Sequence, residues 1–289
     1  MSHSIVFDRP IPPEARGPLG PAPQRRPNSI RRTTTIDVTW PGERGGEMAF
    51  DARGRDILTG GTLNHTRIAQ ADSYAATIGN DRTLLALEMT PARVPATPLV
   101  GCRGGGHLRL ALKTALPDDT RSATPLYLLL DDISGVSLIA GWAWSRWIDF
   151  AEMAAQMERR GPAVGICTGF APGSSSLNPD GTNRFSNRSR PVPPLPRPDD
   201  PAGWHDLPDT AGRPSLRRSR RIDVWVDELI RIDAMFQDSG TEPDGGRSAL
   251  HEYHLAAAAD PASGRLVAVE ATPHVLPFQE CPAATLNLP

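Results

Sequence analysis

The chain has 289 residues, long enough for one large domain or two smaller ones with a real core in either case. With 31 Lys plus Arg against 33 Asp plus Glu its net charge is -2, which removes any global argument for a nucleic-acid or membrane partner. The three cysteines, Cys102, Cys167 and Cys281, are far apart with no Cys-x-x-Cys pair; neither a disulfide framework nor a cysteine zinc site is supported, and buried free thiols are expected.

Residues 8–28 are rich in Pro, Gly and Arg and nearly devoid of apolar side chains, so residues 1–28 are expected to be a disordered leader. No secretory core lies within it, and no apolar run approaches the roughly 20 residues of a membrane span, which makes the cytoplasm the expected address. The next unit, 29–172, alternates with period two at Ile36, Val38 and Trp40 and again at Leu85, Leu87 and Met89. Turn signals at Pro41-Gly42, Gly60-Gly61 and Gly79-Asn80-Asp81 make these strands an antiparallel meander. Helices are expected at Leu108–Leu116 and Trp147–Arg160, and two buried strands at Leu126–Leu130 and Val136–Ala140 about an Asp131-Asp132 turn. Prolines crowd residues 173–214, above all PVPPLPRPDDP at 191–201, which predicts a polyproline linker. Residues 215–289 then form a second β unit, with Ile230, Ile232 and Ala234 alternating.

The second unit repeats the first. Six of ten positions from Ser29 to Val38 recur 186 residues later, and 12 of the 45 from Asp51 to Pro95 recur at a gapless shift of 182. Asp51 thus corresponds to Asp233, Asp56 to Asp238 and Glu88 to Glu270. The expected fold class is mostly β (α+β): two related antiparallel four-stranded units packed face to face as a sandwich or barrel-like core, with two short helices.

Three segments, RRTTTIDV at 31–38, LYLLLDDISGVSLIAGWAWSRW at 126–147 and VEATPHVLPFQECP at 269–282, resemble the bacterial family called domain of unknown function 2889. The resemblance spans most of the chain outside the leader and the linker and implies no activity. It also implies a continuation into a Gly-Cys-Thr-His-Leu segment and a closing helix. This sequence ends at Pro289, so the second unit is expected to be short of that pattern.

One segment favours an anionic ligand. The loop Gly101–His107 (GCRGGGH) leads into the Leu108 helix, where Gly104, Gly105 and Gly106 permit close backbone approach and Arg103 and His107 add donors. Acid–base candidates are His65, Glu88 and Asp131, each with a bland alternative as a solvated strand or turn residue. Asp37 alternates onto the side where solvated residues belong, and the Arg pairs at 31–32, 217–218 and 220–221 read as charges guarding a strand edge. In His251-Glu252-Tyr253-His254 a strand would point the histidines to opposite faces, so no metal site is expected. The sequence names no cofactor and fixes no oligomeric state. It leads first to a cytoplasmic binding protein for a small, partly apolar anionic ligand such as an acyl thioester or carboxylate. The alternatives are a small-molecule catabolic enzyme using carboxylate and histidine acid–base chemistry, and an interaction scaffold acting through its Pro-rich linker.

Overall fold

The period-two segments become long strands: β1 (Ser29–Thr39), β2 (Met48–Thr59), β3 (Thr66–Ile78) and β4 (Leu84–Thr90), then β6 (Leu216–Val226), β7 (Ile230–Thr241), β8 (Arg247–Ala259) and β9 (Leu266–Val275), with a short β5 (Arg190–Val192) between the sets. In this computed structural model, which describes residues 10–14, 17–93, 97–149, 152, 162–186 and 188–288, they form one open antiparallel sheet. Its order is β4-β3-β2-β1-β6-β7-β8, with β9 and β5 both on the outer edge of β8. The fold is therefore mostly β with a few short helices. The two meanders, however, join edge to edge through β1 and β6 instead of packing face to face.

The reason lies in the side chains that cross this seam. Arg31 stands opposite Asp223 and Asp37 opposite Arg217, each pair directly across the ladder. Arg31 Nε lies 2.5 Å from Asp223 Oδ1, and Arg217 Nε lies 2.7 Å from Asp37 Oδ1. Asp37 is thus buried, not solvated, and the arginines once assigned to a guarded edge form the middle of the sheet. A buried edge needs paired charges on both strands, and these residues supply them.

The two meanders correspond strand for strand, each with a bulge in its second hairpin. Asp56 faces Gln70 where Asp238 faces His251, so the offset is 182 for the second strand but 181 for the third. It returns to 182 at the fourth, where Ala86 faces Thr77 and Ala268 faces Ala258. The repeat is consequently not gapless: the second turn loses a residue and the third regains it.

One face of the sheet carries helices α1 (Gly106–Ala115), α2 (Pro117–Ser122) and α3 (Pro125–Ile139), the last continuing as a 3₁₀ turn through Ala140–Arg146. The two strands expected at 126–130 and 136–140 are this one helix. Thr124 caps it by accepting from Tyr127 N, Pro125 opens its first turn, and Leu126, Leu129, Leu130, Ile133 and Val136 recur at helical spacing on the buried side. Pro125–Arg146 is long and apolar enough to cross a membrane by composition, but half of it is buried inside the fold, and α3 packs on β1, β2 and β3. The helix expected at Trp147–Arg160 falls largely outside the described residues.

The opposite face is crossed by residues 17–28 and 195–210, the stretches read as leader and linker. Arg25 and Asp200 pair at 2.8 Å in the interior, and Leu19, Leu195, Trp204, Leu207 and Met235 form a small apolar cluster there. His205 sits between Thr33 Oγ1 (2.9 Å) and Thr35 Oγ1 (2.7 Å). A few buried anchors hold these chains where overall composition predicts none, because composition averages over the residues that dock.

Candidate functional site

On the helical side, the half of the sheet built by β6, β7 and β8 is not closed by α3 and forms the floor of a cleft of about 840 Å³. Its walls come from the α3 end (Leu138, Ile139, Trp142), from residues 163–186 and from the C-terminal segment (Phe278, Cys281). Phe170, Phe236, Phe278, Tyr253 and Leu250 make it largely aromatic and apolar.

The polar floor is built by strand register. Arg218 on β6 stands opposite Asp238 on β7, which stands opposite His251 on β8. The bulge after Asp238 leaves Leu250 outside the ladder, so Leu250 and His251 both turn into the cleft. Asp238 is fully buried; its Oδ1 accepts from Arg218 Nε at 2.7 Å, and its Oδ2 accepts from Arg218 Nη2 at 2.9 Å and lies 3.0 Å from His251 Nδ1. Burial alone would raise the Asp238 pKa, but Arg218 and His251 outweigh that cost and hold it at about 2. Arg218 also reaches Asp132 of α3 at 3.2 Å, and Arg220 binds the same carboxylate with two 2.7 Å contacts. Gly135 makes room for this, since a Cβ there would lie 2.4 Å from Arg218 Nη1. Both guanidinium groups stack on Phe236, at 4.8 and 4.7 Å from its centroid.

Along the wall, Gly169 lets two thiols approach: a Cβ there would lie 2.6 Å from Cys281 Sγ and 3.8 Å from Cys167 Sγ. Burial pushes the Cys281 thiol up to about 12. Two more lining residues, Trp142 and Ser145, carry an Nε1 and an Oγ buried without a hydrogen-bond partner.

The structure scatters the residues expected from sequence. Of the glycine-rich loop, only Arg103 lines the cleft; its Nε donates to Asp81 O at 2.9 Å. The Gly104 N–H is spent on Arg82 O and the Gly105 N–H on Ser134 Oγ at 2.8 Å, docking the loop onto β4 and α3, while Gly106 and His107 do not border the cleft. His65 lies exposed at a hairpin tip, Glu88 is exposed on β4, and Asp131 pairs with Arg109 at 2.7 Å on the surface of α3. Asp238 and His251 lay within sequence features already singled out, a repeated Asp and a His-Glu-Tyr-His run. The signal that joins them is cross-strand register, which a hairpin alignment allowing for the bulge would have supplied.

Comparison with known families bears on this half of the sheet. Residues 216–288 match the model described as Protein of unknown function (DUF2889). This C-terminal meander is a DUF2889 segment. Of the three segments that carry the sequence resemblance, the one at 269–282 lies within the match. The DUF2889 segment supplies Arg218, Asp238, Leu250, His251, Tyr253 and Phe278 to the cleft, whereas Trp142 and Phe170 come from the chain preceding it. No curated protein and no solved structure matches the chain.

Proposed function

We propose that this is a cytoplasmic small-molecule-binding protein whose cleft takes a partly apolar anionic ligand, an acyl thioester or a carboxylate. The carrying observation is the composition of the cleft: about 840 Å³ walled by Phe170, Phe278, Tyr253 and Trp142, with cationic side chains at its edge. Arg103 and Arg184 are exposed lining residues, and neither meets an acidic side chain, so both keep charge for a ligand's anionic group. The unpartnered Trp142 Nε1 and Ser145 Oγ support the same reading, because each costs about 1–3 kcal/mol while unsatisfied and offers a donor that a ligand oxygen would use.

The crossed pairs Arg31–Asp223 and Arg217–Asp37, and the corresponding pairs Arg32–Asp56 and Arg218–Asp238, support descent of the two meanders from one duplicated unit. Only the second copy faces a cleft, which is why binding is assigned to it. The scaffold alternative has less support, since Leu195 within the Pro-rich segment packs inward against Trp204.

The test is calorimetric titration with octanoate and butyryl-coenzyme A, alongside native mass spectrometry of freshly purified protein. Binding is expected, weakened about tenfold or more by Arg103→Glu with Arg184→Glu, as for loss of charge-assisted contacts of roughly 1.5–3 kcal/mol. Absence of binding by the wild type to either probe overturns the proposal.

A further inference from the structure

We propose that His251 is a general base, held in position by Asp238, for hydrolysis of a partly apolar acyl thioester bound in the cleft. This rests on the ligand class proposed above and adds an activity to it.

The Asp238–His251 contact fixes the state of the imidazole. Oδ2 of a buried carboxylate can only accept, so Nδ1 of His251 donates to it, and in the neutral ring the lone pair is left on Nε2. His251 lines the cleft, its side chain is 22% exposed, and Nε2 meets no partner among the described residues. Asp238 itself is ionised throughout the neutral range, with its charge available to stabilise an imidazolium.

Two comparisons within the chain separate this histidine from a structural one. In the first meander the equivalent ion pair, Arg32–Asp56, stands at 2.7 Å with Gln70 opposite Asp56 in place of a histidine. The Arg–Asp pair thus forms without an imidazole, and His251 is an addition confined to the half that bears the cleft. The chain's other carboxylate–histidine contact, Asp233 with His254 at 2.7 Å, engages Nε2 and borders no part of the cleft.

The reaction balances with water as the only co-reactant. A water proton passes to His251 Nε2 as the water oxygen bonds to the acyl carbon. The carbon–sulfur electron pair then leaves with sulfur, and the imidazolium returns the proton to it. Thioester and water become carboxylic acid and thiol. The aromatic walls suit the acyl chain, and Arg103 and Arg184 at the edge suit an anionic carrier such as coenzyme A.

The experiment measures thiol release from butyryl-coenzyme A together with calorimetric binding of the same compound. His251→Gln, a half-exposed position whose loss leaves the Arg218–Asp238 pair intact, is expected to lower turnover about 10²–10⁴-fold with affinity within threefold. Asp238→Asn should lower turnover as well, and nitrogen NMR of the imidazole should report loss of the Nδ1–H tautomer, a change that a merely structural carboxylate would not cause. Wild-type binding without thiol release, or equal release by wild type and His251→Gln, overturns the activity and leaves the binding proposal standing. No binding of butyryl-coenzyme A or octanoate overturns both.

Discussion

His205 makes the stability of the fold depend on pH in a direction that can be calculated. It is 8% exposed beneath the strap of residues 195–210, between two threonine hydroxyls. Burial first, then the charges of Arg55, Arg217 and Arg53, pull its pKa from 6.5 down to about 3. The folded protein therefore keeps this ring neutral while the unfolded chain protonates it below pH 6.5, so stability falls as pH drops from 6.5 toward 3. Linkage with these two values gives a loss of about 2 kcal/mol between pH 8 and pH 5, approaching roughly 5 kcal/mol below pH 3. Urea denaturation at pH 8, 6.5 and 5, followed by tryptophan fluorescence, measures it, with buried Trp204 next in sequence as a local reporter. Other groups titrate too, so the diagnostic quantity is the difference from His205→Gln, whose stability should lose about 2 kcal/mol less over that interval. Equal pH dependence in the two proteins would refute the reasoning.

Two further outcomes follow from buried contacts. Arg31→Ala removes the partner of Asp223 and two carbonyl contacts, to Gly203 and Pro23, and should cost about 3–5 kcal/mol by guanidinium denaturation while raising amide exchange at residues 200–205. Gly169→Ala forces a methyl within 2.6 Å of Cys281 Sγ and should cost about 1–3 kcal/mol; thiol titration of the native wild type should find exposed Cys167 reacting well before buried Cys281.

The strands were legible because alternation is a local signal: Ile36, Val38 and the Ile230–Ala234 run each declare a face within five residues. The repeat was legible for the same reason, apart from one residue lost and regained at turns. Helix α3 was not, because a segment apolar on nearly every side carries little periodicity, and the deciding marks were the Thr124 cap and Pro125. Nor was the strap: Arg25, Asp200 and His205 look solvated in sequence, and only the partners they meet from distant segments make burial tolerable. The cleft shares that limit. Arg218, Asp238 and His251 lie on three successive strands, and nothing short of register brings them together.

One question remains within the fold itself, namely why two corresponding meanders give a cleft on one side only. The strand register places Gly54 with Asp72 in the first meander where Phe236 with Tyr253 stand in the second. Gly54 lets α3 settle directly on the sheet, since a Cβ there would lie 3.2 Å from Pro125 Cβ and 3.3 Å from Leu129 Cδ1. Asp72 completes the dock by accepting from Leu126 N at 3.3 Å and binding Arg93 at 3.0 Å. In the second meander two aromatic rings, 6.3 Å apart, occupy the same place and leave no such seat for a helix. The first unit is thus filled by α3, and the second is left open with an apolar floor carrying one carboxylate and one histidine. Divergence at these two cross-strand positions is enough to make one unit the support and the other the site.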